Sequence, residues 1–392
     1  MTAGLDASTA NRVAIVGMGM TEMSLRPGRT PLQLAVEAVR SGLADAGIGH
    51  RDIDGLLVGS SQGVRPDRLG VGFAAQGGFS NLRLLEHIEI KGATTIAMVQ
   101  RARLAIETGA ARTVLCVFAD APLVAGKGSG STYAHSGGNS GTRGLERASG
   151  VLGSVPTYAL LARRWLHLTG GSEADLCAVV TTARRWALGN PAAVVHTPLD
   201  EQGYYDSPMV SDPLRRLDCA RPVNGAVAVI VSGDAAVGHS IRLTVRGTGR
   251  DHPVRHRRAG AESWFGGGRR AVDDALEQAG MSRRDLDMAQ LYDPFSVVTL
   301  MLLDEYGLTG SQTVPEFVAG GGLGPEGPLP TNTGGGQLSG FYLQGMTPLA
   351  EAIVQLRGAG GDRQVPDAAT ALVGGIGGRV DHHAAMILER AA

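Results

Sequence analysis

Apolar and polar positions along the first 120 residues switch between two periods. The run RVAIVGMG from Arg12 predicts a buried strand ending in a glycine turn, and TPLQLAVEAVRSGLADAG from Thr30 repeats apolar residues every three or four positions, as a helix with one buried face does. Its ends are signalled: Thr30 can cap, Pro31 suits the first turn, and Gly47 supplies a left-handed C-terminal residue. DGLLVGSS predicts a second strand, GATTIAMVQRARLAIETGA a second helix, and RTVLCVFA a fully buried strand. Strand and helix in alternation predict an α/β fold.

The pattern then recurs. LADAGIGHRDID from Leu43 to Asp54 returns as LEQAGMSRRDLD from Leu276 to Asp287, pairing Leu43, Ala46, Gly47, Arg51, Asp52 and Asp54 with Leu276, Ala279, Gly280, Arg284, Asp285 and Asp287. Beyond each copy come a strand, a glycine-started helix (from Gly92, and again from Gly336) and another apolar strand, TVLCVFA or ATALVGG. Two like halves imply pseudo-twofold symmetry, with a site where the two glycine-started helices meet.

Composition narrows the function classes. The 392 residues are 43% hydrophobic with a formal charge of −1, which gives no electrostatic reason to expect nucleic acid or a membrane surface. No apolar run reaches the ~18 residues of a spanning helix, and Met1 to Asn11 lacks a secretory pattern, so the cytoplasm is the expected location. Three dispersed cysteines predict neither a disulfide framework nor a metal site. Cys116 falls in a buried strand and Cys177 in a helical stretch after Ser172, leaving Cys219 alone near polar groups. Glycine, at 58 residues, is about twice its ordinary frequency, which predicts tight turns and backbone-lined pockets.

Candidate chemistry concentrates in NTGGGQLSGFYLQGMTP, from Asn332 to Pro348. Gly334, Gly335 and Gly336 let backbone approach a ligand and leave N–H groups free at a helix start, where a thioester or phosphate oxygen would be held.

Several motifs together resemble the thiolase superfamily, in the branch of the sterol-carrier-protein thiolase domain and the bacterial lipid-transfer proteins. VAIVGMGMTE resembles its opening strand and turn, YALLARRWLHLTG and RRWALGNP its inserted region, and MVSDPLRRLDC with NGAVAVIVSG the end of its first half. LYDPFS, NTGGG and VGGIGG stand where its three C-terminal motifs stand. The resemblance implies a duplicated αβαβα five-layered fold: two mixed sheets flanked by helices around a shared helix pair, usually as a homodimer. It also divides the chain into an N-terminal half (1–120 plus 210–240), an inserted loop region (121–209) and a C-terminal half (241–392).

The departures from that family carry the functional reading. Gly92 stands at the nucleophilic cysteine, with Ala93 or Thr94 offered by a small shift; Tyr342 stands at the activating histidine, and Gly374 at the second cysteine. Tyr292 occupies the place of the Asn or His that helps to hold the thioester oxygen. Without a thiolate no acyl-enzyme forms by the family's usual route, and a threonine without an adjacent base is a poor substitute. Two phenols and an oxyanion site suit retro-aldol cleavage of a β-hydroxyacyl-CoA, in which an enolate forms on the thioester oxygen. Tyr342 is assigned one proton-transfer role and Tyr292 the other or the thioester oxygen, an assignment that could be reversed. Gly92, Ala93, Gly335, Gly336, Gly375, Gly377 and Asp293 complete the expected oxyanion and substrate-binding set.

This cysteine-free, two-tyrosine pattern resembles the thiolase-fold aldolases of steroid side-chain degradation. The substrate implied is 17-hydroxy-3-oxopregn-4-ene-20-carboxyl-CoA or a relative, cleaved to androst-4-ene-3,17-dione and propanoyl-CoA, with CoA entering only as part of the substrate and no separate cofactor. The resemblance also implies a DUF35 (OB-fold) partner or hydratase domain in a heterotetramer. A non-catalytic acyl-CoA-binding subunit, or an acyltransferase using Thr94 or Cys219, are the alternatives.

Other polar residues carry weaker expectations. Asp293 either tunes Tyr292 or turns away into the strand pair, and Asn332 starts the glycine turn. At most one of His382 and His383 faces the pocket, because neighbours on a strand point to opposite faces. Arg163, Arg164, Arg184 and Arg185 are expected on a solvated helix face, with CoA phosphates as the alternative. The glycine- and serine-rich stretch from Gly126 to Gly150 is expected to shape the substrate entrance or the partner surface.

Overall fold

The strands of the two like halves form one nine-stranded mixed sheet. A computed structural model of the chain describes residues 13–59, 70–126, 141–253, 268–378 and 380–391. The first half contributes β1 (Ala14–Met20), α1 (Pro31–Ala46), β2 (Gly55–Gly59), α2 (Val71–Gln76), β3 (Leu84–Ile88), α3 (Thr94–Glu107) and β4 (Thr113–Asp120). The inserted region holds α4 (Gly141–Ala148), α5 (Ser154–Thr169), α6 (Glu173–Leu188) and α7 (Glu201–Tyr205). A small hairpin, β5 (Met209–Ser211) and β6 (Leu214–Arg215), leads to β7 (Gly225–Ser232). The second half follows with β8 (Leu243–Asp251), α8 (Gly268–Ala279), β9 (Met288–Leu291), α9 (Ser296–Tyr306), α10 (Val314–Ala319), α11 (Met346–Leu356), β10 (Thr370–Gly377) and β11 (His382–Arg390).

Sheet order is β3-β2-β4-β7-β1-β8-β11-β10-β9. β2 runs parallel to β4, β4 antiparallel to β7 and β7 antiparallel to β1; β9, β10, β11 and β8 repeat those relations. A single parallel bridge between Ala289 and Thr331 stands where β3 would recur. The two sheets implied by the family meet edge to edge through only two residue pairs, Ala14 with Thr244 and Ile15 with Leu243. Each half-sheet thereby gives the other's edge a few backbone partners that water would otherwise supply.

Alternation along the strands builds the five layers. Val114, Cys116 and Phe118 share a central core with Ala371, Val373, Met386 and Leu388 and with residues of α3 and α11. Their neighbours Leu115, Val117 and Ala119 face α1, while Leu372, Ile376, Ala385 and Ile387 face α8 and α9. Three helix layers separated by two half-sheets follow from that period-two pattern. The inserted region shares its core with the second half, since Trp165, Leu176 and Val180 pack in the cluster that holds Val298, Leu302 and Phe317.

The sequence repeat has a structural purpose. Gly47 and Gly280 end α1 and α8 at φ of 65° and 66°, and Asp52 and Asp285 each accept an amide three residues back, from Gly49 at 2.8 Å and Ser282 at 2.7 Å. Asp54 accepts the amides of Arg112 and Thr113 at 2.8 and 2.9 Å, and Asp287 those of Ala369 and Thr370, both at 2.8 Å. Each aspartate thus fixes the start of the next parallel strand. Asp54→Ala is expected to cost about 3 kcal/mol in urea unfolding, because two charge-assisted bonds vanish at a buried site. Asp54→Asn should cost less, and an unchanged midpoint for the alanine variant would remove this account.

One predicted element differs. The glycine run does not continue into a helix: Gly336–Gly340 make one wide turn, Phe341 is extended at φ −153°, Tyr342 bridges to Pro222, and α11 starts only at Met346. Thr347 holds this break, its hydroxyl accepting the Leu343 amide at 3.0 Å and donating to the Phe341 carbonyl at 2.9 Å. Among the described residues, no helix is long and apolar enough to cross a membrane.

Candidate active site

Tyr292 leaves the end of β9, its amide donating to the Gly374 carbonyl at 2.9 Å, and Tyr342 stands on the extended segment before α11. Their hydroxyls lie 3.1 Å apart, with ring centroids at 6.5 Å and planes tilted by 48°. The turn that leads into α3 lies against the first phenol. A β-carbon on Gly92 would stand 2.5 Å from Cε1 of Tyr292 and 2.4 Å from the Ile376 carbonyl oxygen, well inside contact distance. The ring therefore fills the space that a nucleophile's side chain would need. Gly345 and Gly375 each press on the Gly92 carbonyl, where a β-carbon on either would come to 2.6 Å, and one on Gly377 would come to 2.0 Å from the Ile90 carbonyl. Ala93 is buried beside them. A side chain at Gly374 would run into Tyr306 instead, so the strand face turned to α3 belongs to Gly375 and not to Gly374.

The glycine loop is built differently from its sequence expectation. Asn332 (φ 52°) accepts the Leu291 amide at 2.7 Å through its side chain and the Gly335 amide at 2.8 Å through its carbonyl. Gly335 backs onto Ala183 and Ala187 of α6, and Gly336, at φ 56°, backs onto the Asp293 carboxyl. The Gln337 amide donates to Oδ1 of Asp293 at 2.8 Å. The turn's N-terminal amides, expected at a ligand oxygen, hold a carboxyl of the chain itself. Gly335 and Gly336 allow close packing here, and the Asp293 carboxyl turns to the loop. Burial pushes the Asp293 carboxyl up to about 8 even with these donors. Behind the loop, Glu351 accepts from Arg363 at 3.0 and 3.1 Å and from the Thr333 hydroxyl at 3.0 Å.

The Thr94 hydroxyl accepts the Ile90 amide at 2.8 Å. Burial pushes the Cys219 thiol up to about 12 and Cys177 up to about 11, and Cys116 higher still. His383 is buried beside the Tyr306 ring, and burial pushes its imidazole down to about 4; His382 instead faces His252, nitrogen to nitrogen, at 2.8 Å. Arg184 departs from the solvated face expected of it: it is buried, donating to the Ser339 hydroxyl at 3.0 Å and the Thr197 carbonyl at 2.8 Å. Arg163 pairs with Asp212 at the surface, and Arg185 approaches Glu326 at 3.9 Å. Within the stretch from Gly126 to Gly150, residues 127–140 lie outside the described residues.

A family profile described as thiolase C-terminal domain-like matches residues 247–390. The 17-hydroxy-3-oxo-4-pregnene-20-carboxyl-CoA lyase of Mycobacterium tuberculosis is 32% identical over 89% of this chain and 92% of its own. The chain belongs to the thiolase superfamily, in the branch of the steroid side-chain-cleaving aldolases. A steroid side-chain-cleaving aldolase of Thermomonospora curvata is 31% identical over 88% of this chain and 90% of its own. Among solved structures, the Ltp2-ChsH2(DUF35) aldolase superposes with a TM-score of 0.85 at 27% identity, covering 97% of this chain and 98% of that one. Human mitochondrial 3-ketoacyl-CoA thiolase shares the fold at a TM-score of 0.68 and 17% identity, covering 98% of this chain and 100% of that one.

Burial pushes the Tyr342 phenol up to about 12; the hydroxyl of Tyr292 pulls it down and the nearby charge of Asp120 pushes it up. Asp120, buried at the end of β4, is a site neighbour that sequence reasoning missed. Its signal was a lone acid closing the apolar run TVLCVFAD.

Proposed function

We propose that the chain is a carbon–carbon lyase that cleaves a steroid side-chain β-hydroxyacyl-CoA by a retro-aldol reaction. The observation that carries this is the Tyr292–Tyr342 hydroxyl contact, with the Tyr292 ring standing where a nucleophile on Gly92 would project. One phenol oxygen takes the proton of the substrate's β-hydroxyl. The bond between the α and β carbons breaks, the β carbon leaves as a ketone, and the electron pair moves into an enolate on the thioester. The other phenol returns a proton to the α carbon. The pair ends with as many protons as it began, so a proton passed across 3.1 Å removes the need for a free tyrosinate, which is scarce at neutral pH when Tyr342 ionises near 12. With the Gln337 amide engaged by Asp293, we assign the enolate oxygen to the Gly92 turn before α3 and to a phenol hydroxyl.

The substrate class is a C-17-hydroxylated steroid acyl-CoA such as 17-hydroxy-3-oxopregn-4-ene-20-carboxyl-CoA, in keeping with the activities of the two relatives. A DUF35 (OB-fold) partner belongs to the same reading, supported by the similarity to the Ltp2-ChsH2(DUF35) aldolase. So do a homodimer at the centre of a heterotetramer and a cytoplasmic setting. The raised thiols speak against an acyltransferase, and the phenol pair against a purely binding subunit.

Turnover in deuterated water tests the reading, with and without an OB-fold partner. Propanoyl-CoA carrying one solvent deuteron at its α carbon, and no acyl mass on the chain, is the expected result. A covalent acyl adduct would overturn it, as would binding of such CoA esters without any cleavage.

A further inference from the structure

Asp293 follows Tyr292 directly and reaches across to the turn that leads into Tyr342. Only 1% exposed, its carboxyl receives the Gln337 amide at 2.8 Å, and the Leu338 amide and the Asn332 carboxamide are turned toward it as well. Asn332 in turn accepts the amide of Leu291, so the end of β9 and the turn are tied at two points around the first phenol. Gly336 leaves the room this requires: a β-carbon there would stand 2.1 Å from Oδ2 of Asp293. That second oxygen accepts no hydrogen bond, and neither does the hydroxyl of Thr299, itself 1% exposed. Both residues border a cavity of about 10 Å³, room for one water between them.

We propose that Asp293 is a positioning residue of this site, a clamp between the two phenol-bearing segments that sets the distance between the Tyr292 and Tyr342 hydroxyls. It touches no reacting atom. The proposal rests on the lyase reading above, because the spacing matters only where the phenols exchange protons. The clamp works through shape and hydrogen bonding, and burial favours the uncharged form of the carboxyl. An asparagine keeps an acceptor for the Gln337 amide and offers a donor toward Thr299; an alanine keeps neither.

The test compares Asp293→Ala, Asp293→Asn and Gly336→Ala with the wild type in the partner-bound enzyme, using a β-hydroxyacyl-CoA and fitting kcat and KM separately. Asp293→Ala is expected to lose about 100-fold in kcat with KM little changed, as a misplacement of reacting groups by about 1 Å does. Asp293→Asn should recover most of that loss. Gly336→Ala, whose β-carbon displaces the carboxyl without removing it, should reproduce the kcat loss, and it carries the test if Asp293→Ala fails to fold. Adding Tyr342→Phe to Asp293→Ala should cost much less than it does in the wild type, because the pair is already misaligned. Wild-type kcat in Asp293→Ala and in Gly336→Ala would overturn the clamp, and so would an Asp293→Asn enzyme as slow as the alanine variant. If either result came with inactive Tyr292→Phe and Tyr342→Phe enzymes, the lyase reading would stand without the clamp. Fully active tyrosine variants would remove both.

Discussion

Tyr342→Phe is expected to lower kcat for cleavage of a β-hydroxyacyl-CoA by ~10²–10⁴-fold, the usual worth of a positioned general acid or base, and Tyr292→Phe by a similar factor. The hydroxyls lie 3.1 Å apart, so removing either breaks the same proton path, and the double variant should be little slower than the single ones. KM should move less than kcat, because the phenols act on charge that develops only as the carbon–carbon bond breaks. The fold should survive in both cases. Each substitution removes one hydroxyl and leaves the rings and their packing in place. The measurement is steady-state release of propanoyl-CoA beside a thermal melt. Unchanged turnover in both single variants would sink the mechanism.

Gly92→Cys, which restores the superfamily's nucleophile, is expected to abolish lyase activity without creating a thiolase. The new β-carbon would meet the Tyr292 ring at 2.5 Å and the Ile376 carbonyl oxygen at 2.4 Å. A strand carbonyl cannot retreat, so the phenol must be pushed out of register with Tyr342. Overpacking of this kind costs about 1–3 kcal/mol, readable as a lowered unfolding midpoint. The thiol would also lack a base: the histidine position holds Tyr342, and His383 packs beside Tyr306. Intact-mass analysis after exposure to acetyl-CoA should show no acyl adduct. An acylated cysteine in a stable, lyase-active protein would show that Gly92 and Tyr292 are not mutually exclusive with a nucleophile.

These two expectations differ in how far sequence alone reached them. The pair of phenols was legible because the resemblance of LYDPFS and NTGGG to superfamily motifs implies that Tyr292 and Tyr342 share one cavity. The exclusion of a side chain at Gly92 was not, because it depends on where a ring from residue 292 and a carbonyl from residue 376 arrive in space. The glycine loop misled for a related reason. Consecutive glycines before a helical pattern signal free amides, but whether the amides at the turn face a ligand or a carboxyl group of the same chain is decided by the partner segment. Here that segment carries Asp293. Arg184 likewise read as part of a solvated basic pair, yet a neighbouring helix residue can face inward, and the Ser339 hydroxyl and the Thr197 carbonyl give it buried partners.

The sequence by itself determined the α/β alternation, the duplication and the residue types available at the candidate site. These depend on short-range periodicity, on cap residues such as Thr30 and Gly47, and on which side chains exist at all. Only the tertiary structure decided that the half-sheets join through β1 and β8, that the inserted helices share the second half's core, and that the glycine loop closes on Asp293. Each of these is a contact between segments tens to hundreds of residues apart. Its energy depends on burial and on exact donor–acceptor placement, quantities that no local pattern of residues contains.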